Sequence, residues 1–118
     1  MSKPTFIVGD VVTTRFRPEK PIKVSEVMYE AAVRLRSALI VAAQRRSTLT
    51  YQEASEAIDR LFAPQGLGRP LDLLSHDCIT RGEPSLAALV IGKRTGTVGS
   101  AYIGEDAAER ERCYKHWR

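Results

Sequence analysis

Leu49-Thr50-Tyr51-Gln52-Glu53-Ala54 begins the stretch whose reading decides the fold. Thr50 and Glu53 have the spacing of a capping box: the Thr50 hydroxyl accepts from the Glu53 amide, and the Glu53 carboxylate reaches back to the Thr50 amide. Leu49 is positioned for an apolar staple onto Ala54. A helix is therefore predicted from Tyr51 to about Phe62, with Tyr51, Ala54, Ile58 and Leu61 facing inward. Ala63-Pro64-Gln65-Gly66 stops it. Leu67, Leu71, Leu74 and Cys78 then recur at helical spacing, predicting another helix over about 68–80 with Pro70 in its first turn and Gly82 as its stop. Beyond it, Ser85–Ile91 and Thr97–Ile103 read as two strands around the loop Gly92-Lys93-Arg94-Thr95-Gly96, whose terminal glycines suit a hairpin.

Before this stretch lies the longest helical pattern, about residues 26–46, with Ser25 as N-cap. Val24, Met28, Ala31, Leu35, Ala38 and Ala42 form its stripe, and Val27, Ala32, Leu39 and Ala43 widen it. Ile40 and Val41 carry apolar surface further round the helix, while Glu30 and Arg34 make a favourable outer pair. Such an alanine-rich helix serves either as the scaffold of the domain or as a dimer seam. A short chain needs that face for its own core, which favours the scaffold. Residues 1–23 hold a β-prone run, Phe6–Thr14, read as one strand or as a strand broken at Gly9-Asp10. Pro18 and Pro21 exclude helix after it, so 1–23 is taken as an N-terminal strand or basic extended arm and 24–118 as the folded domain. The tail from Glu105 to about Trp117 is a short helix with acids first and bases last, docked by Tyr114 and Trp117.

The chain has 118 residues, 43% hydrophobic and 27% charged, which suits one soluble domain with one core. It contains no apolar run near the length of a membrane span, and its first residues lack a signal-peptide core. A cytoplasmic location with no membrane partner is the expectation. Net charge is +4, compatible with a nucleic-acid partner. Residues 1–23 carry five Lys/Arg against two acids and residues 24–48 four against two, so the positive excess precedes the pair of short helices. Two cysteines make no disulfide framework and read as free thiols.

Helix, turn, helix and basic hairpin together give a mainly helical α+β fold with the layout of a winged helix. The segment Thr50-Tyr51-Gln52-Glu53-Ala54 opening one helix, Gly68-Arg69 opening the next, and the strands that follow resemble the winged-helix domain of DNA alkyltransferase-like proteins. The resemblance covers about half the chain. That family carries a Pro-Cys-His-Arg nucleophile segment, whereas this chain has Pro84-Ser85-Leu86-Ala87-Ala88-Leu89-Val90 there. The resemblance therefore implies a DNA-docking scaffold without alkyl-transfer chemistry and without a cofactor. Double-stranded DNA is the expected partner, in a regulatory or accessory role. The helix over 68–80 would enter the major groove with Arg69, Ser75 and His76, and Lys93 and Arg94 would clamp the flank. Arg15, Arg17, Lys20 and Lys23 would form a phosphate-binding arm.

Asp72 and Asp77 offset Arg69 and Arg81 on the presumed reading helix, which argues against tight base reading. This opens the alternative of a protein-interaction module: a homodimer through the 26–46 helix, or an inhibitor or adaptor docking on another complex, as mobile elements and phages encode. His76, Cys78, Cys113 and His116 form a candidate zinc set. His76 and Cys78 are two apart on a helix and point about 200° from each other, so a buried thiol and surface imidazoles fit better. Gly92–Gly99 lacks the order of a phosphate loop. Ser75-His76-Asp77 fan around one helix and do not converge as a triad.

Overall fold

The fold is described from a computed structural model over residues 4–15, 17–92 and 106–118. It is mainly helical α+β. Strands β1 (Val11–Val12) and β2 (Ile22–Lys23) form an antiparallel ribbon, Val11 opposite Lys23 and Val12 opposite Ile22. Helix α1 runs Glu26–Gln44, capped by the Ser25 hydroxyl, which accepts from the Met28 amide at 3.1 Å. Its C-terminal turn closes with Arg46 in the left-handed region (φ 52°), which lets the Ser47 amide reach Ala42 O at 2.9 Å.

Strand β3 (Leu49–Thr50) leads into α2 (Tyr51–Ala57), and both halves of the capping box are made at 2.9 and 3.1 Å. Helix α2 is shorter than the pattern predicts. The buried Ser55 donates its hydroxyl to Phe62 O at 2.7 Å, and the chain doubles back through Asp59 and Arg60, both with φ 57°. Ile58 still packs inward, from a turn. A 3₁₀ turn, Pro64–Gly66, feeds α3 (Gly68–Thr80), whose bounds match the sequence reading.

The run 85–91 corrects the expected strand. Leu86–Leu89 is a 3₁₀ turn with all four residues buried, and the strand of this run is Val90–Ile91 (β4). A run buried on every side has no period-2 face to hold it flat. Strand β4 pairs in parallel with β3, Val90 beside Leu49. The expected partner run, Thr97–Ile103, and the loop bearing Lys93 and Arg94 lie outside the described residues. Helix α4 (Asp106–His116) packs through Cys113, Tyr114 and Trp117, as the tail's aromatics suggested.

The main core joins Leu35, Leu39, Ala42 and Ala43 of α1 to Leu71, Leu74 and Cys78 of α3 and to Leu86, Leu89 and Val90. A smaller core closes the N-terminal side, where Phe6, Ile22 and Val24 cover Ala32 and Leu73, and Phe6 meets Tyr29 edge-on at 5.6 Å. Residues 4–15 and 17–24 thus fold onto α1 and α3. Among the described residues, no helix is long and apolar enough to cross a membrane.

Candidate functional site

Helix α3 carries most of the expected contact residues, and its surroundings decide what they can do. Eight of its thirteen residues are buried. The Arg69 guanidinium donates to the carbonyls of Lys20 and Pro21 at 3.0 and 2.8 Å. Asp72 is fully buried, with Arg17 Nε at 3.7 Å and, among the described residues, no hydrogen-bond donor to either carboxylate oxygen. Burial pushes its pKa up, and the charges of Arg17 and Arg69 partly offset that push. The Ser75 and Ser85 hydroxyls meet at 2.6 Å inside the core. Asp77 accepts from the Thr5 amide and hydroxyl at 2.8 and 2.5 Å and from Arg81 at 3.0 Å. Of the three α3 residues that sequence reading placed in a DNA groove, Ser75 is buried, Arg69 is half-exposed and bound to two carbonyls, and His76 stays toward solvent. Arg69, Asp72 and Asp77 tie the N-terminal segment down, and Ser75 braces the 3₁₀ turn.

Beyond Gly68 and Arg69 in its first turn, α3 leaves His76, Ile79 and Thr80 toward solvent. They line a polar hollow of about 590 Å³ with Thr13, Thr14, Arg15 and Pro18. Arg15 and His76, expected on separate elements of a DNA interface, are therefore brought together. Thr80 is engaged with His76 O at 2.8 Å, and the Thr14 hydroxyl accepts from the Arg17 amide at 3.3 Å. Lys20 and Lys23 are exposed on the ribbon.

The candidate zinc residues do not assemble. Cys78 and Cys113 are buried thiols, pushed up to about 11 and about 12 by desolvation. Cys113 donates to Ser85 O at 3.3 Å. His76 faces the hollow, and His116 is exposed and stacks edge-on against Trp117 at 4.8 Å. Among the described residues no three metal-ligating side chains come together.

A second concavity, bordered by α1 and the N-terminal segment, is almost wholly apolar. It is a groove of about 270 Å³ with Ala32 and Leu74 at its base, Pro4 and Phe6 along one side, and Val33, Ile40 and Val41 of α1 along the other. Val41 is 46% exposed. Arg36 and Asp77 stand at its edge, both already paired: Arg36 with Glu83 at 2.8 Å, Asp77 with Thr5 and Arg81. The edge charges are thus neutralised locally, and the groove presents hydrocarbon. Sequence reading offered the 26–46 helix as a dimer seam but placed no groove beside it. Its signal was the apolar character of Ile40 and Val41, beyond the width one core-facing stripe requires. The opposite wall comes from Pro4 and Phe6, which no local pattern brings to α1.

Comparison with protein-family models, with curated proteins and with solved structures gives no match.

Proposed function

We propose that this chain is a protein-interaction module whose groove beside α1 receives an apolar segment of a partner. The observation that supports this reading is the groove itself. An open, apolar, 270 Å³ concavity costs hydrophobic burial that the domain forgoes, and such surfaces in small domains are characteristically docking sites. Its fit is to an amphipathic helix or short apolar strand, with two or three anchor residues entering between Phe6 and Val41. Selection from a displayed peptide library tests it. Amphipathic sequences should be enriched, and their binding should be lost on Val41→Asp, a change at an exposed position that leaves the circular dichroism intact. A library that yields no binders, or binders indifferent to Val41→Asp, overturns the reading.

A second reading, DNA binding through backbone phosphates, is favoured by the meeting of Arg15 and His76 in the polar hollow, with Lys20 and Lys23 exposed nearby in the chain. A winged-helix arrangement over 49–104 with Lys93 and Arg94 on its loop belongs to this reading. Base reading by α3 is not part of it, since Ser75 is buried and Arg69 is held by two carbonyls. Three or four phosphate contacts would make affinity for random duplex DNA fall with a log–log salt slope of about −3. Arg15→Ala should make that slope shallower by about one unit. Absence of binding at low salt removes the reading.

A further inference from the structure

The polar hollow beside α3 differs from the other concavities in the state of its arginine. Arg36 at the apolar groove is paired with Glu83 at 2.8 Å. Arg112, in a third concavity beside Gly82 and Pro84, is paired with Glu109 at 2.6 Å. Arg15 lines the polar hollow, is exposed, and has no acidic partner among the described residues. No carboxylate is in that lining. Asp72, one turn before His76 on α3, is buried and faces the Arg17 guanidinium inside the protein. The Thr13 hydroxyl and the His76 ring are likewise without hydrogen-bond partners among the described residues, whereas Thr14 and Thr80 are engaged with the backbone.

A guanidinium, an imidazole and a hydroxyl, all uncommitted and with no acid among them, make a set of donors for an anion. A guanidinium meets two oxygens of a phosphate side by side, and the imidazole and hydroxyl supply further donors. We infer that the hollow binds a terminal phosphate, a phosphomonoester, seated on Arg15 and His76 with Thr13 as the third donor. A monoester presents three terminal oxygens and about two negative charges near neutral pH. A phosphate within a strand presents two such oxygens and about one charge, and its chain must leave the site in both directions. A hollow walled by α3 on one side and by Thr13, Thr14 and Pro18 on the other favours a group that enters by its end. Its volume of about 590 Å³ exceeds what phosphate alone fills, and Ile79 and Pro18 give the carrier of the phosphate an apolar wall.

This inference rests on the phosphate-contact reading of Arg15 and His76 and names the form of phosphate they take. Fluorescence anisotropy of the full chain with a short random duplex, carrying either terminal phosphates or terminal hydroxyls, tests it. The phosphorylated duplex should bind at least about tenfold more tightly. Arg15→Ala and His76→Ala should each reduce that preference to within about threefold, with circular dichroism matching wild type. Lys23→Ala, exposed on the ribbon and outside the lining of the hollow, should weaken both duplexes alike and leave the preference intact. Inorganic phosphate should displace the phosphorylated duplex more effectively than sodium chloride of equal ionic strength. A deoxynucleoside monophosphate separates two sources of the same chemistry. Competition as strong as that of the phosphorylated duplex supports the pocket with a small phosphorylated molecule as its ligand, and weaker competition supports it with the end of a strand.

Equal affinity for the two duplexes, or a preference unmoved by Arg15→Ala, overturns the inference. The two proposals fail separately. If both duplexes bind equally, phosphate contacts along the strand remain and the terminal pocket falls. If the monophosphate binds and neither duplex does, the pocket remains and DNA is not its partner. If nothing binds at low salt, both fall.

Discussion

Helices α1 and α3 both supply the main core, and they differ in what they leave outside it. Helix α1, rich in alanine and without a charge cluster, reads as the internal scaffold, yet only six of its nineteen residues are buried and one face borders an open apolar groove. Helix α3, with Arg69, Asp72, Ser75, His76 and Asp77, reads as a surface helix, yet eight of thirteen residues are buried. The difference shows how little a polar side chain says about exposure once partners are available. On α3 the polar groups close long-range contacts: Asp77 to Thr5, Arg69 to Lys20 and Pro21, Ser75 to Ser85. On α1 the extra apolar groups find no such closure.

Substitutions on the two helices should separate these roles, and the largest effect belongs to α3. Leu73→Ala, at a fully buried position, should cost about 3 to 4 kcal/mol in urea unfolding. Asp77→Ala removes a buried carboxylate that accepts from Arg81 and from the Thr5 amide and should cost about 2 to 3 kcal/mol. A loss below 1 kcal/mol for either would mean that α3 is not an internal strut. Thr50→Ala removes one half of the capping box and should cost about 1 kcal/mol, with Thr50→Ser recovering most of it.

Asp72 gives the comparison a pH dependence. Burial raises its pKa above 3.8, so the folded state holds this proton more tightly than the unfolded chain does. Its contribution therefore becomes unfavourable as pH rises through the window between 3.8 and the higher folded value, and it stays so above that window. Asp72→Asn should flatten this slope. Wild type should gain stability relative to the variant as pH is lowered toward 3.8, and unfolding midpoints that stay parallel across that range would remove the buried carboxylate as the cause. The smallest effect is expected on the outer side of α1, where Val41→Ala should change stability by less than about 0.5 kcal/mol.

Where the sequence carried a local rule, it was legible. The capping box at Thr50 and Glu53, the Ser25 cap, the 68–80 bounds of α3 and the docking aromatics of the tail all follow from spacing alone. Three features do not. The Leu86–Leu89 turn is buried all round, and a uniformly apolar run has no period to read. The shortening of α2 depends on Ser55 reaching Phe62 O, a contact competing with helical hydrogen bonds that the inward stripe does not report. The groove needs Pro4 and Phe6 beside α1, and that placement follows from the Asp77–Thr5 bond across 72 positions. The partners of Arg69 and Ser75 were equally hidden, because a side chain's type is written in the sequence and its partner is not.

Methyl NMR of valine-, leucine- and isoleucine-labelled protein, followed on titration with an amphipathic peptide selected by display, weighs the two helices against each other most directly. Shifts that move with added peptide at Val33, Ile40 and Val41, while Leu71 and Ile79 stay still, are the predicted result. Constant shifts on α1, or changes centred on Ile79 of α3, would contradict the proposal that the outer α1 face is the working surface of this protein.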